Sequence, residues 1–393
     1  MSIRFSSRVS QVKPSATIAM SMKAAELKAQ GRDIFSLSMG EPDFDTPAHI
    51  RQAGIEAIEN GQTRYTAVDG TPDLKKAIVA KLKRDNELDY EPADILVSGG
   101  AKQSIYNMFQ AALNQGDEVL IPAPYWVSYP DMVRLADADP VILHTKAEDD
   151  YLISAQQLRS AINENTRLLI LNAPSNPTGM GYSRQALKDL GEVLLEFPKV
   201  LICSDDIYEH IWWGNEPFTN IAQVVPELKD RMVLVNGVSK AYAMTGWRIG
   251  YAAGPKELIA QMRKVQGQST SNPCSISQAA ATAALNGDQS CVKTMTKAFK
   301  ERHDWIVPAL NECPGFSCRP AQGAFYVFVD CSEAITRLGL SDDFQLAEHL
   351  LEKAGVATVP GTAFGAPGHL RLSFALGLDV LQLAIARIKE ALV

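Results

Sequence analysis

Short runs of apolar residues recur along the first two thirds of the chain, and most are apolar at consecutive rather than alternate positions. A strand that is buried on both faces of a helix-covered sheet has this pattern, whereas a strand with one solvent face alternates apolar and polar side chains. The pattern predicts seven strands, at Ile95–Ser98, Glu118–Ile121, Val141–His144, Leu168–Asn172, Val200–Asp205, Val233–Asn236 and Ile249–Ala253.

Amphipathic helical patterns separate these runs, most clearly at Ala101–Leu113 and Arg184–Leu195. Strands that alternate with helices predict an α/β domain built on a mostly parallel sheet. The last third of the chain differs, because its predicted helices and strands do not alternate regularly. It favours a smaller α+β domain, with helices at Asp304–Leu310 and Leu378–Leu392 and strands at Ala324–Val329 and His369–Phe374.

Composition narrows the class of protein. The chain has 393 residues, 46% hydrophobic and 21% charged, enough for two or more domains of roughly 100–200 residues. The net charge of −7 disfavours nucleic acid as the main partner, and no apolar run approaches the roughly 20 residues that span a bilayer. The six cysteines form no Cys-x-x-Cys pair, and the first ten residues lack the apolar stretch needed for export. We therefore expect reduced thiols in a cytoplasmic protein.

Lys240 is the first candidate for chemistry. It follows the predicted strand Val233–Asn236, so it lies at the carboxyl end of a strand, where open α/β sheets bind ligands. Its neighbours Ser239 and Ala241 are small enough to let a flat ligand approach, and Arg248 follows eight residues later. A lysine taken alone is most often a solvated surface charge. A lysine buried in a loop can instead have a lowered pKa and attack an aldehyde.

A glycine pair joins the predicted strand Ile95–Ser98 to the helix that begins at Ala101. Backbone N–H groups at such a turn, together with the helix dipole, can bind a phosphate group. The sequence matches neither a Walker loop nor a dinucleotide fingerprint. Since two glycines also make an ordinary tight turn, both interpretations stay open on this motif alone.

Two further strand ends carry polar side chains. Asn176 lies in NAPSNPTG, and Asp205 and Tyr208 lie in SDDIYEH. Alone, these motifs would be read as a turn and a helix cap. Taken together, the four strand ends offer a lysine, a phosphate cradle, an amide, a carboxylate and a phenol at one edge of one sheet. Those are the contacts that pyridoxal 5′-phosphate (PLP) requires.

With these motifs the chain resembles the class I aminotransferases, which are PLP enzymes of fold type I. The resemblance rests on the segment Gly237–Gly250 around Lys240, on NAPSNPTG and SDDIYEH, and on SMGEPDFDTP. It extends over essentially the whole chain. Two segments, Lys13–Thr17 and Pro124–Pro130, resemble the bacterial aspartate/prephenate aminotransferase branch in particular.

The resemblance implies a fold type I architecture with a seven-stranded, mostly parallel sheet. Residues 1–46 would form an N-terminal arm and part of the small domain. Residues 47–285 would form the large PLP-binding domain, and residues 286–393 the small C-terminal α+β domain.

The resemblance also implies the residues of a cofactor site. Lys240 would form a Schiff base with PLP and carry the proton between the substrate Cα and the cofactor. Asp205 would pair with the pyridine nitrogen, Asn176 and Tyr208 would hydrogen-bond the phenolate oxygen, and Trp126 would stack on the ring. The cofactor phosphate would be held by Ser239, Arg248 and the turn formed by Gly100, Ala101 and Lys102.

The implied substrate site centres on Arg371, which would bind the α-carboxylate through a bidentate guanidinium. Gly40 would let the backbone approach the same carboxylate, and Trp126 and Asn176 would also contact the substrate. Residues 267–273 contain no arginine that could bind the side-chain carboxylate of the substrate. The resemblance offers Lys13, Thr17 and Lys102 instead, and the match at Lys13 is also associated with prephenate.

Tyr65 matches a tyrosine that reaches the phosphate of the neighbouring subunit. This implies a homodimer with shared active sites. The histidines and cysteines form no metal-binding motif, so we expect no metal site.

The predicted function is transfer of the amino group of an L-amino acid, L-aspartate first, to 2-oxoglutarate in a ping-pong cycle. The alternatives are an aromatic, alanine or prephenate aminotransferase on the same scaffold, a PLP lyase or decarboxylase, and a sensor that kept the fold without catalysis.

Overall fold

The computed structural model describes residues 3–12, 14 and 16–393. Its strands are β1 Phe35–Ser36, β2 Ile95–Ser98, β3 Glu118–Ala123, β4 Asp139–His144, β5 Thr166–Asn172, β6 Leu201–Asp205, β7 Met232–Gly237, β8 Gly250–Ala253, β9 Ser317–Cys318, β10 Tyr326–Asp330, β11 Val356–Ala357, β12 Val359–Pro360 and β13 His369–Ser373.

The α-helices are α1 Ser7–Ser10, α2 Ala16–Ala29, α3 Ala48–Glu59, α4 Pro72–Asn86, α5 Ala101–Ala112, α6 Ser128–Leu135, α7 Ala155–Ala161, α8 Arg184–Glu196, α9 Ile221–Val224, α10 Lys256–Gly267, α11 Ser275–Asn286, α12 Ser290–Asn311, α13 Ser332–Arg337, α14 Asp343–His349 and α15 Leu378–Ala391. Short 3₁₀ turns occur at Pro92–Asp94, Ala147–Asp149, Pro226–Arg231, Thr245–Trp247 and Gly361–Phe364, and a π turn at Leu350–Ala354.

A seven-stranded sheet forms the centre of the molecule, with the strand order β2-β8-β7-β6-β5-β3-β4. Strands β7, β6, β5, β3 and β4 are parallel, whereas β8 runs antiparallel to both of its neighbours. The predicted α/β class with a mostly parallel seven-stranded sheet is therefore confirmed. Because β5, β6 and β7 are parallel neighbours, their carboxyl ends meet at the same edge of the sheet.

Apolar cores cover both faces of this sheet, which explains why the strands are apolar at consecutive positions. On β5, Leu169 and Leu171 belong to one core cluster, and Leu168 and Ile170 belong to the cluster on the opposite face. The edge strand β4 is only partly buried along its length. The central strands are consequently fixed from both sides, and the loops that follow them start from rigid positions.

A second, four-stranded antiparallel sheet lies in the C-terminal part of the chain, in the order β12-β13-β10-β9. A third core cluster packs it against α12 and α15 through residues such as Phe299, Val327 and Ile385. The N-terminal strand β1 pairs in parallel with β11 of this region. The boundaries at residues 46 and 285 stay a prediction.

Three elements differ from the sequence expectation. Helix α2 was not predicted. Helix α12 is a 22-residue helix of which the sequence pattern gave only Asp304–Leu310. The strand expected from Ala324 begins at Tyr326 instead, and Ala324 has a positive φ of 59°. A left-handed residue of this kind interrupts a strand.

Over the ranges 3–12, 14 and 16–393, no helix combines the length and apolar character that a membrane crossing requires. The same residues contain no cluster of three or more histidine, cysteine or acidic side chains arranged to bind a metal ion.

Candidate active site

A cavity of about 300 Å³ opens at the carboxyl ends of β5, β6 and β7. It brings together most of the side chains that the sequence singled out from distant positions. The predicted site residues that line it are Thr17, Gly40, Ala101, Lys102, Trp126, Asn176, Asp205, Tyr208, Ser239, Lys240, Arg248 and Arg371.

Lys240 lies in the loop after β7 and points into the cavity, where its Nζ donates a hydrogen bond to the Gly40 carbonyl. Burial, and then the nearby positive charge of Arg371, lower the pKa of Lys240 to about 8. Since an ordinary lysine has a pKa of 10.5, a much larger fraction of this amine is neutral near physiological pH. A neutral amine is the form that attacks carbonyl carbons and accepts protons.

Asp205 ends β6 and is 4% exposed. Tyr129, at the start of α6, donates its hydroxyl hydrogen bond to Asp205 Oδ2 at 2.6 Å, and the Ile207 N–H approaches Oδ1 at 3.4 Å. Burial raises the pKa of Asp205 to about 6, while the Tyr129 hydrogen bond lowers it. At neutral pH this carboxyl group is therefore an anion at the base of the cavity.

Arg371 comes from β13 of the second sheet and is 2% exposed. Its Nη1 donates to Asn176 Oδ1 at 3.0 Å and its Nη2 to the Ser38 carbonyl at 2.6 Å. The guanidinium also lies over the Tyr326 ring, 4.5 Å from its centroid. The buried Nε has no hydrogen-bond partner, and Arg371 lines the cavity, so this buried cation has donor capacity that the protein does not use.

Two tyrosines meet beside this arginine. The Tyr208 and Tyr326 hydroxyls are 2.9 Å apart, and burial followed by the effect of Tyr326 raises the pKa of Tyr208 well above its usual value. Tyr208 is therefore a neutral hydroxyl donor. A Cβ at Gly40 would lie 2.8 Å from the Tyr326 hydroxyl, which explains the glycine at this close approach of backbone and side chain.

The turn before α5 faces Arg248. Gly100 has φ +98°, and a Cβ there would lie 2.2 Å from Arg248 Nη2, so only glycine leaves room for the guanidinium. Arg248 itself is left-handed with φ 55°, and its Nη1 donates to the Thr245 carbonyl at 2.8 Å. Ser239 is buried and lines the same cavity. An arginine and a helix N-terminus thus meet beside the cavity, and a buried hydroxyl belongs to its lining.

Lys102 is the second residue of α5, with its Nζ 4.8 Å from the centroid of the Trp126 ring. Burial, and then the charge of Arg248, lower its pKa. The cavity lining within the described ranges carries four basic side chains, Lys102, Lys240, Arg248 and Arg371, and only the acids Glu41 and Asp205. The cavity is therefore suited to anions, although the chain as a whole has a net charge of −7.

Among the described residues, Tyr65 is a predicted site residue that lies apart from this arrangement. Tyr65 is 93% exposed and lies in a different, open groove with residues 270–276. Thr17 reaches the cavity from α2. The prediction for Lys13 falls outside the residues that the structure describes.

Several residues of the cavity were not predicted from the sequence. Tyr129 and Tyr326 lie in segments read as a branch motif and an apolar strand, and Glu41 follows Gly40 without a motif of its own. Glu41 accepts a hydrogen bond from Thr245 at 2.8 Å. The Ser38 and Gly40 carbonyls are backbone groups, which leave no signal in residue type. For Tyr129, the available sequence signal was its position three residues after Trp126, a predicted site residue.

Comparison with known proteins places the chain in a family. A family model described as aminotransferase class I and II matches residues 32–388. The aspartate/prephenate aminotransferase of Nitrosomonas europaea is 52% identical, over 99% of this chain and 100% of its own length. The aspartate aminotransferase of Geobacillus stearothermophilus is 49% identical, over 98% of each chain.

Solved structures agree with the sequence relatives. The aspartate aminotransferase from Rhizobium meliloti has a TM-score of 0.95 and 45% identity, covering 100% of this chain and 99% of its own. The Thermus thermophilus aspartate aminotransferase with maleate has a TM-score of 0.93 and 40% identity, covering 99% and 100%. These matches confirm the resemblance found in the sequence. The chain belongs to the aminotransferase class I and II family, whose members are PLP-dependent enzymes, and it is an aminotransferase.

Proposed function

We propose that this aminotransferase uses PLP bound at Lys240 to transfer the amino group of L-aspartate to 2-oxoglutarate. The observation that carries the proposal is that Lys240 and Arg371 line one cavity in which basic side chains outnumber acidic ones. The lowered pKa of Lys240 increases the fraction of its amine that is a neutral nucleophile, and the Arg371 guanidinium has a donor that the protein does not use. The relatives that are aspartate aminotransferases or aspartate/prephenate aminotransferases support the choice of substrate.

The residues present fit PLP. The space that Gly100 leaves in front of Arg248, with Ser239 and the N-terminus of α5, suits a phosphate group. Asp205 is an anionic partner for a protonated pyridine nitrogen, and Asn176 and Tyr208 provide an amide and a neutral hydroxyl for a ring oxygen. When bound, PLP supplies an aldehyde that reacts with amines and a ring that withdraws electrons from the substrate Cα.

The side chains around the cavity would then have separate roles in the reaction. Lys240 takes the proton from the substrate Cα as a general base and returns one as a general acid. Asp205 keeps the ring nitrogen protonated through its negative charge. Trp126 covers one side of the cavity and limits the access of water. The Lys240 loop and the Gly40 segment are joined by the Lys240–Gly40 hydrogen bond, so the base starts from a defined position.

Substrate recognition follows from the same geometry. Arg371 binds the α-carboxylate that is common to amino acids and 2-oxo acids, and the backbone at Gly40 closes the space around it. The distal carboxylate of aspartate is assigned to Lys102 and Thr17, with Lys13 as a further candidate. Among the described residues no carboxylate lies within ion-pair distance of Lys102, and its partly buried cation is therefore available to a ligand.

Tyr65 supports a homodimer in the proposal. Tyr65 is 93% exposed, so its side chain is accessible to a second subunit, and tyrosine is enriched at protein interfaces. We propose that it reaches the phosphate end of the cavity in a second copy of the chain.

Two measurements test the function. Borohydride reduction of the holoenzyme followed by peptide mapping should place the cofactor adduct on Lys240. Lys240→Ala should lose the visible absorbance and nearly all turnover, while Lys264→Ala, at an exposed lysine bonded to Gln261, should retain both. An adduct on another residue, or full activity of Lys240→Ala, would contradict the proposal.

A substrate panel decides the amino donor. With 2-oxoglutarate as acceptor, we expect aspartate to give a kcat/KM at least tenfold above those of alanine and phenylalanine. Prephenate is the second candidate substrate, as an acceptor, because several relatives at about 50% identity are named for it. Poor turnover of aspartate would reject the aspartate assignment, and product release without any 2-oxo acid would indicate a lyase.

A further inference from the structure

Tyr129 lines the proposed cofactor site and has not been assigned a role in it. Its side chain is 1% exposed, and its hydroxyl donates to Asp205 Oδ2 at 2.6 Å. Its ring meets the Trp126 ring edge to face, with centroids 5.3 Å apart and planes at 86°. One buried side chain therefore contacts both the aromatic wall and the acidic base of the cavity.

The surroundings of Asp205 contain no close cation. Its oxygens accept from the Tyr129 hydroxyl and, at 3.4 Å, from the Ile207 N–H. Within the described ranges no lysine, arginine or histidine lies within ion-pair distance of it. The titratable groups that act on it from further away are Lys240, Cys203, Asp206 and Tyr208.

Tyr129 remains a neutral donor under all physiological conditions. Burial, and then the negative charge of Asp205, raise the pKa of Tyr129 well above its usual value. A neutral donor differs from a cation in its effect on a third group. A cation beside Asp205 would offset the negative charge that a pyridinium needs, whereas a hydroxyl orients the carboxylate and leaves its full charge available.

We propose that Tyr129 is a positioning residue that keeps Asp205 ionised and correctly oriented for the pyridine nitrogen of PLP. The inference rests on the proposed function, because it requires PLP in the cavity. Tyr129 acts only through Asp205 and through the placement of Trp126. Its hydroxyl donates to the carboxylate and does not need to touch either the cofactor or the substrate.

The test is a double-mutant cycle on PLP affinity. The apoenzyme is titrated with PLP, and the dissociation constant is measured for the wild type, Tyr129→Phe, Asp205→Asn and the double variant. We expect Tyr129→Phe to weaken binding about tenfold, because a hydrogen bond to a charged group is lost. In the Asp205→Asn background the same substitution should change affinity by less than about threefold, since the charge it serves is already absent.

Tyr182→Phe is the matched control. Tyr182 is also a tyrosine near this end of the sheet, and its hydroxyl accepts from the Ile153 N–H at 3.4 Å without touching Asp205. It should retain the wild-type affinity. Thermal unfolding of each apoenzyme shows whether the variants fold, and loss of a single hydroxyl should leave the fold intact.

The pH dependence of PLP binding gives a second readout. The pKa of Asp205 is about 6 with the Tyr129 hydroxyl in place. Removing that hydroxyl removes an influence that lowers the pKa, so in Tyr129→Phe the acid-side loss of affinity should begin at a higher pH. Tyr182→Phe should leave this midpoint where it is in the wild type.

The outcomes separate the two proposals. If the wild-type apoenzyme does not bind PLP, the proposed function itself fails. If the wild type binds PLP but Tyr129→Phe has the same affinity and pH midpoint, only the role of Tyr129 is rejected. Equal losses in the wild-type and Asp205→Asn backgrounds would also reject it, because they would indicate a packing role independent of the carboxylate.

Discussion

The most direct test of the substrate site is Arg371→Lys, which keeps the positive charge and removes the planar fork. A guanidinium has five N–H groups, and in this protein two of them are bonded to Asn176 and to the Ser38 carbonyl. Three N–H groups, among them the unpaired Nε–H, are therefore not used by these two contacts. A lysine has three N–H groups in all. If the lysine kept the hydrogen bonds to Asn176 and to the Ser38 carbonyl, only one N–H group would remain for the substrate.

The expected loss is therefore at least one charge-assisted hydrogen bond to the substrate. Such a bond is worth about 1.5–3 kcal/mol, and at about 1.4 kcal/mol per factor of ten kcat/KM should fall roughly 10- to 150-fold. Both half-reactions should be affected by similar factors, because the amino acid and the 2-oxo acid share the α-carboxylate that Arg371 is assigned to bind.

Single-turnover kinetics with L-aspartate and, separately, with 2-oxoglutarate measure each half-reaction. The affinity for PLP should stay within about threefold of the wild type, since Arg371 is not assigned to the cofactor. Arg319→Lys is the control, because Arg319 is exposed and paired with Asp150. A fall of less than threefold in kcat/KM, or a loss confined to one half-reaction, would refute the assignment.

Three further variants or conditions test other parts of the structure. Glu209→Gln should lower the free energy of unfolding by about 3–5 kcal/mol, because it removes the charge partner of the buried Lys81. Urea denaturation measures this change. As a control, Lys300→Gln, at an exposed ion pair, should change the free energy of unfolding by less than about 1 kcal/mol. The rate of PLP attachment to the apoenzyme should rise with pH and level off above about pH 8, since the pKa of Lys240 is lowered to about 8; a rise that continues to pH 10 would contradict this. Lys102→Ala should reduce kcat/KM for aspartate at least tenfold more than for alanine, and an equal effect on both would remove Lys102 from distal-carboxylate recognition.

Local sequence patterns were sufficient for the main sheet. The two-faced apolar runs located all seven strands to within two residues at each end, because burial on both faces demands apolar side chains at every position. The same reasoning failed for α2 and for most of α12. The hydrophobic face of α12 spreads over 22 residues and packs against another sheet, so no short window contains it.

The residues of the candidate site also divide into those that sequence patterns predicted and those that they did not. Sequence position was enough to predict Lys240, Asp205 and Asn176, because each lies at or after the end of a strand of the central sheet. The carboxyl ends of parallel strands lie at the same edge of a sheet, where ligands bind. Arg371 was identified by resemblance alone, since on pattern it would be an ordinary charge at a strand edge. Its burial and its hydrogen bonds to Asn176 and to the Ser38 carbonyl depend on how the second sheet packs against the first.

The sequence by itself determined the α/β class, the central strands and the loops that carry the amine, the carboxylate and the glycine turn, because those features depend on side-chain polarity and local backbone preference. Only the tertiary structure decided that Tyr129 binds Asp205, that the Ser38 and Gly40 carbonyls accept from Arg371 and Lys240, and that the two basic groups line one cavity. The physical reason is that hydrogen-bond geometry and desolvation depend on distances between residues far apart in the chain, and those distances are set by packing.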